Sequence, residues 1–199
     1  MPLHLPPAPP AALRSVLAAL GSPAAHGQGG VAAPEGPRSR FQPELPLPLH
    51  ELTSFTPAAG SSATRLTGWR FLLRDPEASG TSAPGAAESV LTPDGWAFAY
   101  FCGGPYVAAT LQALEQAESL TEDLQPRLLS VPQLYMMTLW LHGDTAAEPA
   151  RGTPLPSDVL IPLAPAPPGI AAHRPHRADA LLPLLTRRVV PAPLMRTPA

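Results

Sequence analysis

The spacing of apolar positions along this chain changes several times, and each change marks an element. Between residues 9 and 21, Leu13, Val16, Leu17 and Leu20 recur at i, i+3, i+4 and i+7, the stripe of an amphipathic helix. Pro9 or Pro10 suits its first turn and Gly21 its end. About three turns of helix do not hold themselves together in water, so the stripe must cover something. It covers either its own domain or a groove on a partner, and such groove anchors follow this same spacing. Leu13, Val16, Leu17 and Leu20 are therefore the candidate binding residues.

From Gly21 to Pro48 neither period holds. Residues 27–30 are glycine-rich, prolines recur, and the stretch reads as a linker, with Phe41 and residues 45–49 strapped over a domain surface. A period of two begins near residue 64, where Trp69, Phe71 and Leu73 alternate with Arg70 and Arg74 as a strand with one wet face. Residues 75–85 are a small-residue connection. Thr92-Pro93-Asp94-Gly95 then has the residues of a tight turn, predicting a hairpin into the strand that starts at Trp96. Simple alternation puts Trp96, Phe98, Tyr100 and Cys102 on one face of that strand.

Gly104 and Pro105 predict the cap and first residue of the main helix, Tyr106 to about Leu120. Leu134 to Leu141 is apolar throughout, as a strand covered on both sides would be. Asp144 to Pro156 reads as a polar loop. Val159, Ile161 and Leu163 alternate again, and Pro162 confines them to an edge or a strand end. Residues 164–176 are proline-rich, and residues 178–189 form a last short helix around Leu181, Leu182, Leu184 and Leu185, interrupted by Pro183.

Together these elements predict an α+β fold. A mostly antiparallel sheet of about five strands carries one main helix, with short terminal helices and proline-rich arms. The expected boundaries are an N-terminal arm over 1–63, a domain over 64–164 and a C-terminal arm over 165–199.

Composition narrows the chemistry. There are 30 prolines and 15 glycines, no lysine and no asparagine, and all thirteen basic residues are arginine. This is the bias of GC-rich, bacterial-type coding. Without lysine there is no Schiff base and no phosphate-loop amine. A net charge of −2 with scattered arginines gives no basic face for nucleic acid. One cysteine, Cys102, excludes an internal disulfide framework. No secretory signal and no membrane-spanning apolar run is present, so a soluble cytoplasmic protein is expected.

Candidate chemistry is sparse. Cys102 precedes a helix start, where a thiol pKa falls, and His142 and Asp144 follow the next apolar strand. A cysteine-dependent hydrolase or transferase using Cys102 and His142 is thus one reading; burial as a small hydrophobe is the other. Gly103-Gly104 lacks the rest of a dinucleotide fingerprint. His173 and His176 fall short of the four ligands of a structural zinc site, and His4, His26 and His50 are spread through the arms. Glu115 and Glu118 read as an exposed helix face, and Asp158 stands alone. Trp69, Trp96, Trp140, Tyr100 and Tyr135 line either the core or an aromatic partner surface. With no multi-residue catalytic motif, the expectation is a non-enzymatic binding or adaptor module without cofactor or metal. Its protein partner would be held through the N-terminal helix or the aromatic sheet face.

Overall fold

The computed structural model describes residues 3–22, 38–56, 61–77 and 85–189. The linker reading of residues 27–30, His26 and most of the 75–85 connection lie outside them. The fold is α+β, with eight strands in one mixed sheet and three α-helices.

The first helix, α1 (Pro10–Gly21), is followed by four strands, β1 (Gln42–Thr56), β2 (Ser61–Arg74), β3 (Gly85–Thr92) and β4 (Gly95–Cys102). Helix α2 (Pro105–Glu118) then crosses to β5 (Gln125–Val131), β6 (Met136–His142), β7 (Val159–Pro162), the two-residue β8 (His176–Arg177) and α3 (Ala178–Val189). The strand order is β4-β3-β2-β1-β5-β6-β7-β8. Every neighbouring pair is antiparallel except β1 and β5, which run parallel through Leu49↔Leu128, His50↔Leu129 and Glu51↔Ser130. Two antiparallel meanders thus meet at one short parallel seam. A parallel partner cannot be reached by a tight turn, and α2 supplies the long crossover this seam requires.

The expectation of about five strands and one main helix was short by three strands and by the weight of the terminal helices. The largest difference is β1. Residues 42–56, expected within a proline-rich arm, form a strand at the centre of the sheet. Pro43, Pro46 and Pro48 are tolerated for two reasons. Ladder pairing skips Leu45 and Pro46 in a register shift where Leu45 takes φ 46°, and β5 pairs only with Leu49–Glu51. The proline-bearing stretch therefore has a ladder partner on one side only, where a missing N–H costs little. The second missed element is β5, whose Pro126 and Arg127 interrupt the alternation.

Helix α2 covers one face of the sheet. Val107, Ala109, Ala113, Leu114 and Ala117 pack on Leu47, Leu72, Ala86, Leu128, Leu139, Leu141 and Ile161. The opposite face is shared. Ala12, Val16, Ala19 and Leu20 of α1 bury Trp69, Phe71, Leu73, Ala87 and Phe101. Leu181 and Leu185 of α3 bury Leu129, Trp140 and Leu160. Both terminal helices thus pack in cis, where each buried Val or Leu contributes about 1.5–3 kcal/mol. Among the described residues no helix is long and apolar enough to cross a membrane.

Candidate functional site

The turn over Pro93 and Asp94 closes the β3–β4 hairpin, with Gly95 at φ 113°. It leaves β4 at the end of the sheet, paired with β3 alone among the described residues. Over its eight residues, Gly95–Cys102, β4 carries neither a charge nor a proline. Those are two of the devices by which natural edge strands refuse new neighbours. A third device is present. Glu88 faces Tyr100 and Ser89 faces Phe98, so Ala99 has no opposite residue and forms a bulge.

That bulge reassigns the faces of β4. Trp96, Phe98 and Phe101 pack with the α1 cluster, while Cys102 turns to the α2 side. Tyr100 turns there too, reaching Glu88. Simple alternation had placed Trp96, Phe98, Tyr100 and Cys102 together; one extra residue in the ladder separates them. Of the large aromatics, Trp69 and Trp140 are buried, Trp96 is half-buried, and Tyr100 and Tyr135 are 44% and 89% exposed.

On the α2 side, a shallow trough of about 290 Å³ runs across five strands. It passes from Ser130 on β5 through Leu49, Gly68 and Val90 to Ala99 and Tyr100 on β4, the end strand among the described residues. Its floor is low because residue 68 has no side chain. A Cβ there would lie 2.1 Å from the Ser89 carbonyl oxygen, so the close approach of β2 and β3 admits only glycine. One wall is ionic. Arg70 donates to Glu88 Oε1 through Nε at 2.8 Å and Nη2 at 2.5 Å, and Tyr100 donates its hydroxyl to Glu88 Oε2 at 2.6 Å. Arg70 had been expected on a wet strand face; with Glu88 it is buried. Burial raises the Tyr100 phenol well above its ordinary range, and the Glu88 carboxylate adds to the effect.

Cys102 sits beside this pair, its Sγ 4.0 Å from Glu88 Oε1. Burial pushes its thiol up to about 11, against a partial offset from Arg70. A thiol so held is neutral at physiological pH and a poor nucleophile. The structure does not bring Cys102 and His142 together. They lie on opposite faces of the sheet, and β4 and β6 are five strand steps apart, about 24 Å at ~4.8 Å per step. His142 instead donates from Nδ1 to Asp158 at 2.8 Å.

Of the candidate helix stripe, Val16 and Leu20 are buried under the sheet, Leu13 is half-buried against the same cluster, and Leu17 is 48% exposed. As folded, most of that stripe is occupied by the protein itself. Gly104, at φ 87°, and Pro105 start α2 as a cap and first residue. Glu115 and Glu118 are exposed, and His173 and His176 lie before and within β8. Among the described residues no three His, Cys, Asp or Glu side chains are grouped to hold a metal ion.

Gly68 and Glu88, which line the trough, and Arg70, which holds Glu88 in place, were not candidates from the sequence. The available signal was the glycine inside a strand pattern, which marks a close backbone approach. The chain matches no known protein family, no curated protein and no solved structure.

Proposed function

We propose that the protein is a non-enzymatic binding module whose partner, another protein, lays an extended apolar segment along the free edge of β4. The observation that carries this is the edge itself: eight residues at the end of a large sheet, without charge or proline, ending in a trough. Strand addition draws affinity from main-chain hydrogen bonds and specificity from pockets for alternate side chains. The small residues Ala97 and Ala99 leave room opposite large incoming ones, and Trp96, Phe98 and Tyr100 offer aromatic cross-strand contacts. The bulge at Ala99 divides the edge, so the incoming strand would be short or would carry a matching irregularity. A hydrolase built on Cys102 and His142 has no comparable support, since the pair is not assembled.

A photo-crosslinking residue at Ala99, with Glu115 on the exposed side of α2 as control, tests this in cells expressing the full chain. The expected result is a discrete adduct with a second protein from position 99 only, abolished by Ala97→Lys. Equal labelling at both positions, or an adduct indifferent to Ala97→Lys, sinks the reading. An adduct of twice the chain mass would make the occupant a second copy.

A further inference from the structure

Far from β4, residues 143–157 cross the α3-side face of the sheet as a strap, and side chains from three strands hold its carbonyls. Gln125 Nε2 donates to Thr145 O at 3.2 Å and Ala147 O at 3.0 Å. Arg127 donates to Arg151 O at 2.6 Å and Glu148 O at 3.3 Å. Thr64 reaches Gly152 O at 2.5 Å, and His50 reaches Pro149 O at 2.9 Å. Asp158 ends the strap: its buried carboxylate accepts from Trp140 Nε1, His142 Nδ1, Gly143 N and Leu155 N.

His50 differs from the other holders in being able to change charge. It is 1% exposed, and its ring packs edge-on to Trp140 with centroids 5.3 Å apart. Because Pro149 O only accepts, Nε2 carries the proton and Nδ1 is bare, and Nδ1 is buried without a partner. A second proton would therefore sit on a nitrogen with no acceptor, in a dry site. The surrounding charges do not welcome it. Arg127 from β5 and His142 from β6 disfavour a cation, and Asp158 is already engaged by His142 and Trp140. On the strap Glu148 pairs with Arg151, and Asp144 accepts from the Ala146 amide. Glu51 on β1 pairs with Arg65 of β2. On α3, Asp179 pairs with Arg177, and Arg188 donates to Pro168 O.

We propose that His50 is a proton-sensitive latch: neutral, it pins the strap through Pro149, and protonated, it releases residues 143–157 from the sheet. The ring gains access to water only if the strap lifts, so protonation and opening are one event. Burial lowers the imidazole to about 4 in the closed form, against 6.5 for a free histidine, with the Pro149 bond opposing and Arg127 and His142 reinforcing the shift. Opening should then become up to about ten-fold easier per pH unit below 6.5, reaching roughly 150-fold at pH 4.

Hydrogen exchange of the full chain, corrected for intrinsic rates and read at the Ala147, Arg151 and Leu155 amides, tests the latch. The expected result is a loss of strap protection from pH 7 to pH 4.5 of at least ten-fold beyond that of the β5–β6 ladder. His50→Gln, which keeps a donor at the Nε2 position but cannot titrate there, should flatten this pH response. Unchanged protection in the wild type, or the same pH response in His50→Gln, overturns the proposal. If His50→Gln does not fold, ring NMR of the wild type decides. An Nε2–H tautomer whose titration follows the strap supports the latch, and a ring that titrates near 6.5 with the strap still closed overturns it.

Discussion

Arg70 and Glu88 face each other across the β2–β3 ladder, and their side chains meet on the α2 face of the sheet in a buried ion pair. Glu88 spends its other oxygen on Tyr100 of the edge strand. The pair therefore ties β4 to the middle of its meander by side chains as well as by backbone.

Removing one partner should cost more than removing both. Glu88→Gln leaves a buried guanidinium without its counter-charge, and such losses run to about 3–5 kcal/mol. Arg70→Met with Glu88→Leu replaces the pair by apolar volume and should recover most of the loss. Urea unfolding of the two variants and the wild type measures this. A double variant as unstable as Glu88→Gln would show that the pair's own attraction, rather than the stranded charge, dominates.

The two sides of α1 should separate cleanly. Leu20→Ala deletes buried contacts beneath the sheet and is expected to cost about 2–5 kcal/mol. Leu17→Ser, on the half-exposed side, should stay within about 0.5 kcal/mol. Thermal or urea unfolding reports both, and a Leu20→Ala with wild-type stability would show that α1 does not dock on its own domain in solution.

Stability should fall in acid in two stages. His50 has a folded value lowered to about 4, so the folded state binds fewer protons than the unfolded one between that pH and 6.5. Stability is therefore full above 6.5 and is lost as pH falls toward 4, by about 3 kcal/mol if the whole shift is realised. Burial alone would raise the Asp158 carboxyl, but hydrogen bonds from His142, Trp140 and the Leu155 and Gly143 amides hold it below its ordinary value. Its contribution is present above the unfolded carboxylate range and fades below it. Urea midpoints at pH 7.5, 6, 5 and 4 should decline across the upper interval, and His50→Gln should remove that decline.

Cys102 should be a slow thiol. With its value pushed up to about 11, the thiolate fraction near pH 8 lies on the order of 100-fold below that of an ordinary cysteine. Iodoacetamide labelling of the native chain should be slower by a similar factor and recover in denaturant. Labelling at the rate of a free peptide thiol would contradict the burial described for it.

Much of the fold was legible where local pattern and burial agree. Trp69, Phe71 and Leu73, the Pro93-Asp94 turn, the Gly104-Pro105 helix start and the 178–189 helix all follow from signals within a few residues. The trough was illegible because its parts are brought together by strand register. Nothing in the spacing of Arg70, Glu88 and Tyr100 reveals that they share a row, and the bulge at Ala99 exists only relative to β3. Similarly, His50 reads as one more arm histidine until β1 is known to be central, since proline chemistry argued against a strand there. Charge alone could not distinguish a wet Arg70 from a paired one.

The parallel seam between β1 and β5 has a consequence for how the chain finds this structure. On either side of it, each strand contacts its sequence neighbour, so each meander forms from pairings closer in sequence than those of the seam. The seam joins residues as remote as Leu49 and Leu128 through three ladder pairs. Closing long loops late is the entropically economical order. The two meanders are expected to gain protection first in pulse-labelling during refolding, with the His50 and Leu129 amides last. If those amides protected earliest, the seam would instead be the nucleus around which both halves grow.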